Sequence, residues 1–596
     1  MSTFLNLPNP SLPPALAALR RAAIRQEPGS GFSTNIRPLR NRLAPATAHL
    51  PNPYLIPDDV GTDDRDSASI NHCPTNETML QGFEWYIPAD GEHWARLERA
   101  LPMLASLGVT KLWIPPACKA AAGPEGNGYD VYDLWDLGEF EQKGARGTKW
   151  GTKEALVRMA GAAAREGVAV LFDAVLNHKM GADFCERMVA TRVEDKDRRV
   201  DVKVDGGERR HDIEAWTGFE FPGRKGRYSR MKWNKEHFTG VGHDSLRGED
   251  GVWKLEGKEW AEDVDEELGN YDFLLSADID HKHPEVKAEL FRWIEWLPSQ
   301  LQVSGLRLDA IKHYSFSFLR DFVAHVKKNI GADWFIVGEY WREDSEFLAR
   351  FIEFMDHQIS LFDVQLVSNF SKVSRMYEKG DLRKVLDDSL VLWKPDHAVT
   401  FVVNHDTQAG QSLETPVASF FLPFAYAMIL LRANCGLPCV FYADLFGSIG
   451  QHPQPNFANF VPPTSGGAIL PKMMLARKFW AYGSQYDYFD DPHCVGFTRV
   501  GHSSQSSGHG LAVVMTNAWE YASKVMFVGK QHAGEVWTDL LRWCPGQVSI
   551  GMDGWGVFPV GYRSVAIWVN ANAVGREFVD TFVFDTDIYG FNSKQG

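Results

Sequence analysis

The chain has 596 residues, more than one compact core accommodates, so two or three domains are expected. A formal net charge of -15 and a pI near 5.7 argue against a partner bound through nucleic-acid phosphates. Apolar and charged contents of 44% and 23% are ordinary for a soluble globular chain, and no apolar run approaches the roughly 18 residues of a membrane helix.

Residues 1–57 carry Arg20, Arg21, Arg25, Arg37, Arg40 and Arg42 against the single acid Glu27, with prolines at 8, 10, 13 and 14. The prolines interrupt any secretory apolar core, so residues 1–75 read as a disordered extension and the location as cytoplasmic. A mitochondrial presequence is the weaker alternative. The seven cysteines (73, 118, 185, 435, 439, 494 and 544) are scattered and lack C-x-x-C spacing, as expected of reduced thiols.

From residue 79 the pattern is strand, loop, helix, repeated. MLQGFEW (79–85), VTKLWIPP (109–116) and VAVLFDAV (168–175) are short apolar runs that predict strands. Helical spacing fills 91–108 and 152–166 between them. Residues 179–275 break the rhythm, being rich in charge, glycine and aromatics, and read as an insertion of short irregular strands. The rhythm resumes with helical spacing at 284–301, then GLRLDAIKH (305–313), a helix over 318–330, WFIVGEYW (334–341), ISLFDVQL (359–366), AVTFVVNH (398–405) and LPCVFYAD (437–444). Eight strands alternating with helices predict a (β/α)8 TIM barrel, an α/β fold, with a β-rich insertion after strand three. Beyond about 485, GLAVVMTN, SKVMFVGK, GEVWTDLL and SVAIWVN predict a C-terminal antiparallel β-sandwich. The expected domains are a barrel over 76–178 and 276–485, the insertion over 179–275 and the sandwich over 486–596.

A TIM barrel carries its chemistry at the C-terminal ends of its strands. Polar residues gather at four of these ends: Asp173, Asn177 and His178; Arg307, Asp309, Lys312 and His313; Glu339 and Trp341; Asn404, His405 and Asp406. Arg307 and Asp309 share one strand face, and a cation so placed is expected to hold the Asp309 pKa low. A carboxylate trio with Arg and His, and no Cys or multi-His ligand set, points to glycosidic bond chemistry. Metal-dependent hydrolysis on the same fold is the competing reading, but an H-x-H motif at the end of strand one is absent.

These four blocks resemble the signature regions of the α-amylase family (glycoside hydrolase family 13). The likeness extends to its liquefying-type members through LQGFEWYIPADGEHWARL, YDVYDLWDLGEFEQKGARGTKWGTK, FPGRKGRYSRMKWNKEHF, GNYDFLLSADIDHKHP, NHDTQAGQSLE, DYFDDPHCVGFTRVG and GKQHAGEVWTDL, spanning about 76–570. The resemblance implies Asp309 as nucleophile, Glu339 as general acid/base and Asp406 as transition-state stabiliser. It implies substrate contacts by Arg307, His178, His405, Tyr129, Tyr132, Lys312 and Trp341. It also implies one calcium ion held by Asn177, Asp272, Asp278 and the backbone oxygen of His313, all hard oxygen donors. Gly242, Ala261 and Lys282 stand where liquefying enzymes add aspartates for further ions, so a single ion is expected.

The implied reaction is retaining endo-hydrolysis of α-1,4 bonds in starch, glycogen or maltooligosaccharides by a monomer, with an Asp309–Glu339 carboxyl separation of about 5–5.5 Å. A 4-α-glucanotransferase would use the same residues. A non-catalytic glucan-binding protein is the remaining alternative, and the presence of all three carboxylates opposes it.

Overall fold

The structure is a computed structural model that describes residues 76–203, 209–450, 469–502 and 509–590; the extension expected over 1–75 lies outside them. Eight parallel strands close into a barrel: β1 (Met79–Gln81), β2 (Lys111–Trp113), β3 (Ala169–Ala174), β4 (Gly305–Leu308), β5 (Phe335–Gly338), β6 (Ser360–Phe362), β7 (Ala398–Phe401) and β8 (Leu437–Phe441). Closure is made by β1, which pairs with β2 through Met79 and Lys111 and with β8 through Met79 and Cys439. Their residues are almost all buried, which is why these strands read as near-continuous apolar runs.

Helices α1 (His93–Ser106), α2 (Lys153–Arg165), α3 (Pro284–Gln300) and α4 (Phe316–Asn329) fall within two residues of the predicted ranges. The predicted strand segments overrun the observed strands, and two of them run directly into an α-helix. The ISLFDVQL segment is strand only to Phe362; α5 (Ser345–Phe354) precedes it and α6 (Val364–Arg375) begins inside it. Asp363 causes the switch: its carboxylate accepts from Leu366 N at 3.0 Å as an N-cap, and from Val391 N at 2.8 Å. LPCVFYAD likewise turns helical at Tyr442.

The insertion is more regular than its composition suggested. Strands Phe184–Val193 and Arg210–Gly218 pair antiparallel within a six-stranded sheet, and the first of these was not read from sequence. The flanks His178–Lys179 and Ala277–Ile279 belong to the same sheet. The sheet is thus stitched to the C-terminal ends of the barrel strands where the polar residues gather.

The C-terminal strands Gln485–Asp491, Cys494–Arg499, Leu511–Thr516, Val536–Asp539, Val548–Ser549 and Ser564–Asn570 form one sheet, and Ala522–Phe527 pairs with Trp555–Val560 beside it. Alternation along Leu511–Thr516 sends Leu511, Val513 and Met515 into the core shared with the barrel, and Ala512 and Val514 into the sandwich interior. Helix α7 (Leu422–Leu431) is buried on every side, as its unbroken apolar sequence requires. The six cysteines among the described residues are free thiols.

Asp363→Ala removes a buried cap and leaves two backbone N–H groups unpaired. It is expected to cost about 2 kcal/mol and to lower the thermal midpoint, measured by circular dichroism, by a few degrees; an unchanged midpoint contradicts this.

Candidate active site

Backbone hydrogen bonds carry the barrel ladder past the formal strand ends and fix the reactive residues. Asp309 N donates to Ala174 O at 3.1 Å, and Glu339 N donates to Leu308 O at 3.0 Å. Ala310 follows in the left-handed region (φ 49°), a conformation costly for a residue with a Cβ. That turn aims Ala310 N at Glu339 Oε2 (3.2 Å) and Ile311 N at Glu339 O (3.1 Å).

Arg307 is the hub. It is 0% exposed, and its register partner on β3 is Asp173. Nη1 donates to Asp173 Oδ1 at 2.8 Å and to Asp309 Oδ1 at 2.6 Å, while Nη2 lies 2.8 Å from Glu339 Oε2. The guanidinium also faces the rings of Trp113 (5.0 Å) and Tyr129 (5.6 Å). Asp173 is pinned further by Trp113 Nε1 (2.8 Å) and the Tyr129 hydroxyl (3.0 Å), both donating to Oδ2.

With Asp406 added, four carboxyls surround one cation in a water-poor pocket, and desolvation dominates their ionisation. Burial pushes the Asp173 carboxyl up to about 7 against the pull of Arg307. The same burial raises Asp309, so the low pKa expected from its neighbouring arginine is corrected: Arg307 only offsets the desolvation. Glu339 is raised by burial, and Asp406 is raised well above the carboxylate range by burial and by the Glu339 charge. Glu339 and Asp406 interact directly, so the two carboxyls titrate as a coupled pair.

The histidines are neutral. Burial takes His178 down to about 4, and its Nε2 donates to Tyr129 O at 2.9 Å. His405 is held well below its usual value by burial and then by Arg307. Gln81 Nε2 donates to its Nδ1 at 3.1 Å, which places the proton on Nε2, 3.2 Å from Asp406 Oδ2. Tyr129 stacks on His405 (5.0 Å, 5°), and Trp85 lies parallel to both, at 6.0 and 6.1 Å. These rings form a flat aromatic wall beside the carboxyls.

Other expected residues sit less openly. Tyr132 is 1% exposed, its hydroxyl bound by Asp183 (2.8 Å) and its ring packed on Phe219 and Phe221; the expectation of a cleft contact is corrected to a packing role between barrel and insertion. Lys312 is buried and pairs with Glu267 of the insertion and with Trp341 O (3.2 Å). Trp341 itself is half-buried.

Sequence reading assigned no role to Asp173, although it stands at the end of β3, because its partnership with Arg307 depends on cross-strand register. It also missed Glu84 and Gln408. Gln408 Nε2 donates to Glu84 Oε2 at 2.9 Å, and Gln408 Oε1 accepts from Trp85 N at 3.3 Å. This bond pins the loop bearing Asp406 to the end of β1.

Beneath the insertion, Asp272 and Asp278 are both buried. Burial lifts Asp272 to about 7 and Asp278 well above its usual range. Both polar atoms of the Asn177 amide are buried without a partner. His313 turns its Nδ1 onto Tyr271 O at 2.8 Å. Buried carboxylates with an orphaned amide oxygen are the donor set a hard cation satisfies, so these residues fit a calcium ion. Near them, Lys258 Nζ pairs with Asp280 Oδ2 at 2.8 Å.

A second group, His237, His283 and Glu285, also places ligand atoms within 4.8 Å of one another. Asn234 N donates to His237 Nδ1 at 3.0 Å, which leaves the proton on Nε2, 3.2 Å from Glu285 Oε2. Both ring nitrogens of His237 are used at this entry to α3, while Nδ1 of His283 is buried without a partner.

Asp173→Asn removes one negative charge from the carboxyl group around Arg307, which eases deprotonation of Glu339. The alkaline limb of the pH–rate profile is expected to move down by about one unit; an unmoved or raised limb contradicts the shared-charge reading.

Comparison with known proteins agrees with this geometry. Residues 93–478 match the family model of the alpha amylase catalytic domain. An alpha-amylase of Bacillus licheniformis is 44% identical over 83% of this chain and 93% of its own. The cytoplasmic alpha-amylase of Escherichia coli is 38% identical over 83% of this chain and 99% of its own. The crystal structure of alpha-amylase from Geobacillus thermoleovorans shares the fold, with a TM-score of 0.55 at 16% identity, covering 83% of this chain and 98% of that one. A family-model match over more than half the chain, joined to relatives of this identity, places the protein in the alpha-amylase family of glycoside hydrolases.

Proposed function

We propose that the protein hydrolyses internal α-1,4-glucosidic bonds of starch, glycogen or maltooligosaccharides with retention of anomeric configuration. The observation that carries this reading is the trio Asp309, Glu339 and Asp406 at the ends of three barrel strands, with one guanidinium holding the first two. Glu339, whose carboxyl is raised by burial, gives its proton to the glycosidic oxygen as the Asp309 carboxylate attacks C1. The C1–O bond breaks, the leaving chain departs as an alcohol, and a glucosyl ester forms on Asp309. Water then enters, Glu339 takes its proton, and attack at C1 frees Asp309. Two inversions return the α anomer. Asp406, with the His405 Nε2–H beside it, binds ring hydroxyls and gains strength as positive charge develops at C1. Tyr129 supplies the stacking face, in keeping with its parallel arrangement with Trp85 and His405. His178, Lys312 and Trp341 complete the wall on this reading.

Asn177, Asp272, Asp278 and the His313 carbonyl would hold one calcium ion, whose charge would compensate the buried carboxylates and tie the insertion to the barrel. The expectation of a single ion is supported by Lys258, whose ammonium already meets Asp280.

Proton NMR of the first products from maltoheptaose should show the α anomer before mutarotation, with products shorter than the substrate. A β anomer contradicts retention, and longer oligosaccharides as the main products favour a 4-α-glucanotransferase. Glu339→Gln should lower kcat by roughly 10²–10⁴-fold. Chelation should lower the thermal midpoint by several degrees, with recovery at one calcium equivalent; two or more equivalents contradict the single site.

A further inference from the structure

A second aromatic surface lies where the barrel meets the C-terminal sheets. An open groove of about 400 Å³ is lined by Tyr377, Phe420, Trp519, Tyr562 and Arg563, with Ala418 and Ser419 at its base. Its rings are offered to solvent: Trp519 is 61% exposed, Tyr562 54% and Tyr377 49%, and Tyr521 at the rim is 70% exposed. Such a density of open aromatic faces is unusual on a chain whose other tryptophans are largely buried.

The groove is a built feature. Tyr377 stacks on Phe420 at 5.8 Å and 20°, and the Arg563 guanidinium lies over Phe420 at 4.1 Å and over Trp519 at 4.4 Å. Tyr521 meets Tyr562 edge-on at 5.9 Å. Asn517, buried, donates through Nδ2 to Tyr377 O (2.9 Å) and Gly380 O (2.7 Å), and Arg563 N donates to Ala518 O at 2.8 Å. These bonds fix the segment after α6 against two turns of the C-terminal domain. Tyr377 and Arg563 both hold left-handed backbone conformations (φ 51° and 45°), which non-glycine residues adopt only where the surroundings enforce them.

The chemistry of the lining selects the ligand. Arg563 is the one charged side chain lining the groove among the described residues, and its charge is engaged by ring faces. Its guanidinium makes no hydrogen bond to a described protein group, and Nε is without a partner. A ligand suited to this surface is uncharged, presents flat apolar faces to the rings and carries hydroxyls toward the guanidinium and Ser419. Pyranose rings have that construction: C–H groups on the faces and hydroxyls around the edge. The loop after β7, which carries Asp406, runs directly into Ala418–Phe420, so the groove is continuous in sequence with the catalytic mouth.

We propose that this groove is a non-catalytic binding platform for α-glucan chains, which holds polymeric substrate while the barrel cleaves it. The proposal rests on the α-glucan reading of the active site. The probe is amylopectin cast in a native gel, run with a Glu339→Gln background so that the polymer survives. Trp519→Ala and Tyr562→Ala, both at exposed positions, are each expected to weaken retardation about tenfold. In otherwise unaltered enzyme the same substitutions should leave maltoheptaose hydrolysis within twofold and lower the rate on insoluble starch several-fold. Retardation unchanged in both variants overturns the platform, even with hydrolysis intact. So does loss of self-association by light scattering without loss of amylopectin binding, which would make the groove a contact between copies. Retardation that depends on Trp519 in a protein that cleaves no maltoheptaose would leave the platform standing and remove the catalytic reading.

Discussion

One buried guanidinium organises the catalytic mouth. Arg307 reaches Asp173 and Asp309 through one nitrogen and Glu339 through the other, so three strands of the barrel meet on a single charge. Four carboxyls cannot all ionise around one cation in a low-dielectric pocket. The consequence is that Glu339 and Asp406 are both raised above the ordinary carboxylate value, Asp406 the further, and burial is the largest cause for each. Removing a buried partner of such a cluster leaves uncompensated charge, so position and protonation state are set together.

The surrounding structure serves that arrangement. The left-handed turn at Ala310 and the ladder bonds from Asp309 N and Glu339 N hold the carboxyls without relying on flexible loops. Tyr129 bridges wall and hub, stacking on His405 while its hydroxyl binds Asp173. Asn177, Asp272 and Asp278 lie where the insertion sheet joins the barrel, so a cation there would brace the insertion beside the mouth. The groove at Trp519 adds an outer surface of similar character, open aromatic faces with an arginine, but without carboxyls.

Much of this was legible in the sequence because the information is local. Each barrel strand is a short apolar run, and each reactive residue sits at the end of its own run, as in GLRLDAIKH and VGEYW. What escaped depends on relations between distant segments. Asp173 acquires its role only through register with Arg307. The ionisation of Asp309 was misjudged because burial, invisible along the chain, outweighs an adjacent arginine. The family resemblance pointed to Tyr132 as a cleft residue, but Phe219 and Phe221 of the insertion pack on it. Asp363 hid inside an apolar run because a capping aspartate and a strand-end aspartate look alike in sequence.

The central claim is that the Arg307-bound carboxyl of Asp309 forms the bond to the sugar while Glu339 manages the proton. Mass spectrometry of peptides after reaction with a 5-fluoro-α-maltosyl fluoride, which slows release of a glycosyl-enzyme, tests it most directly. The account predicts a single maltosyl-derived adduct on the peptide containing Asp309. An adduct on Asp173, Glu339 or Asp406 instead, or turnover by a protein carrying Asp309→Asn at the parent rate, would contradict it.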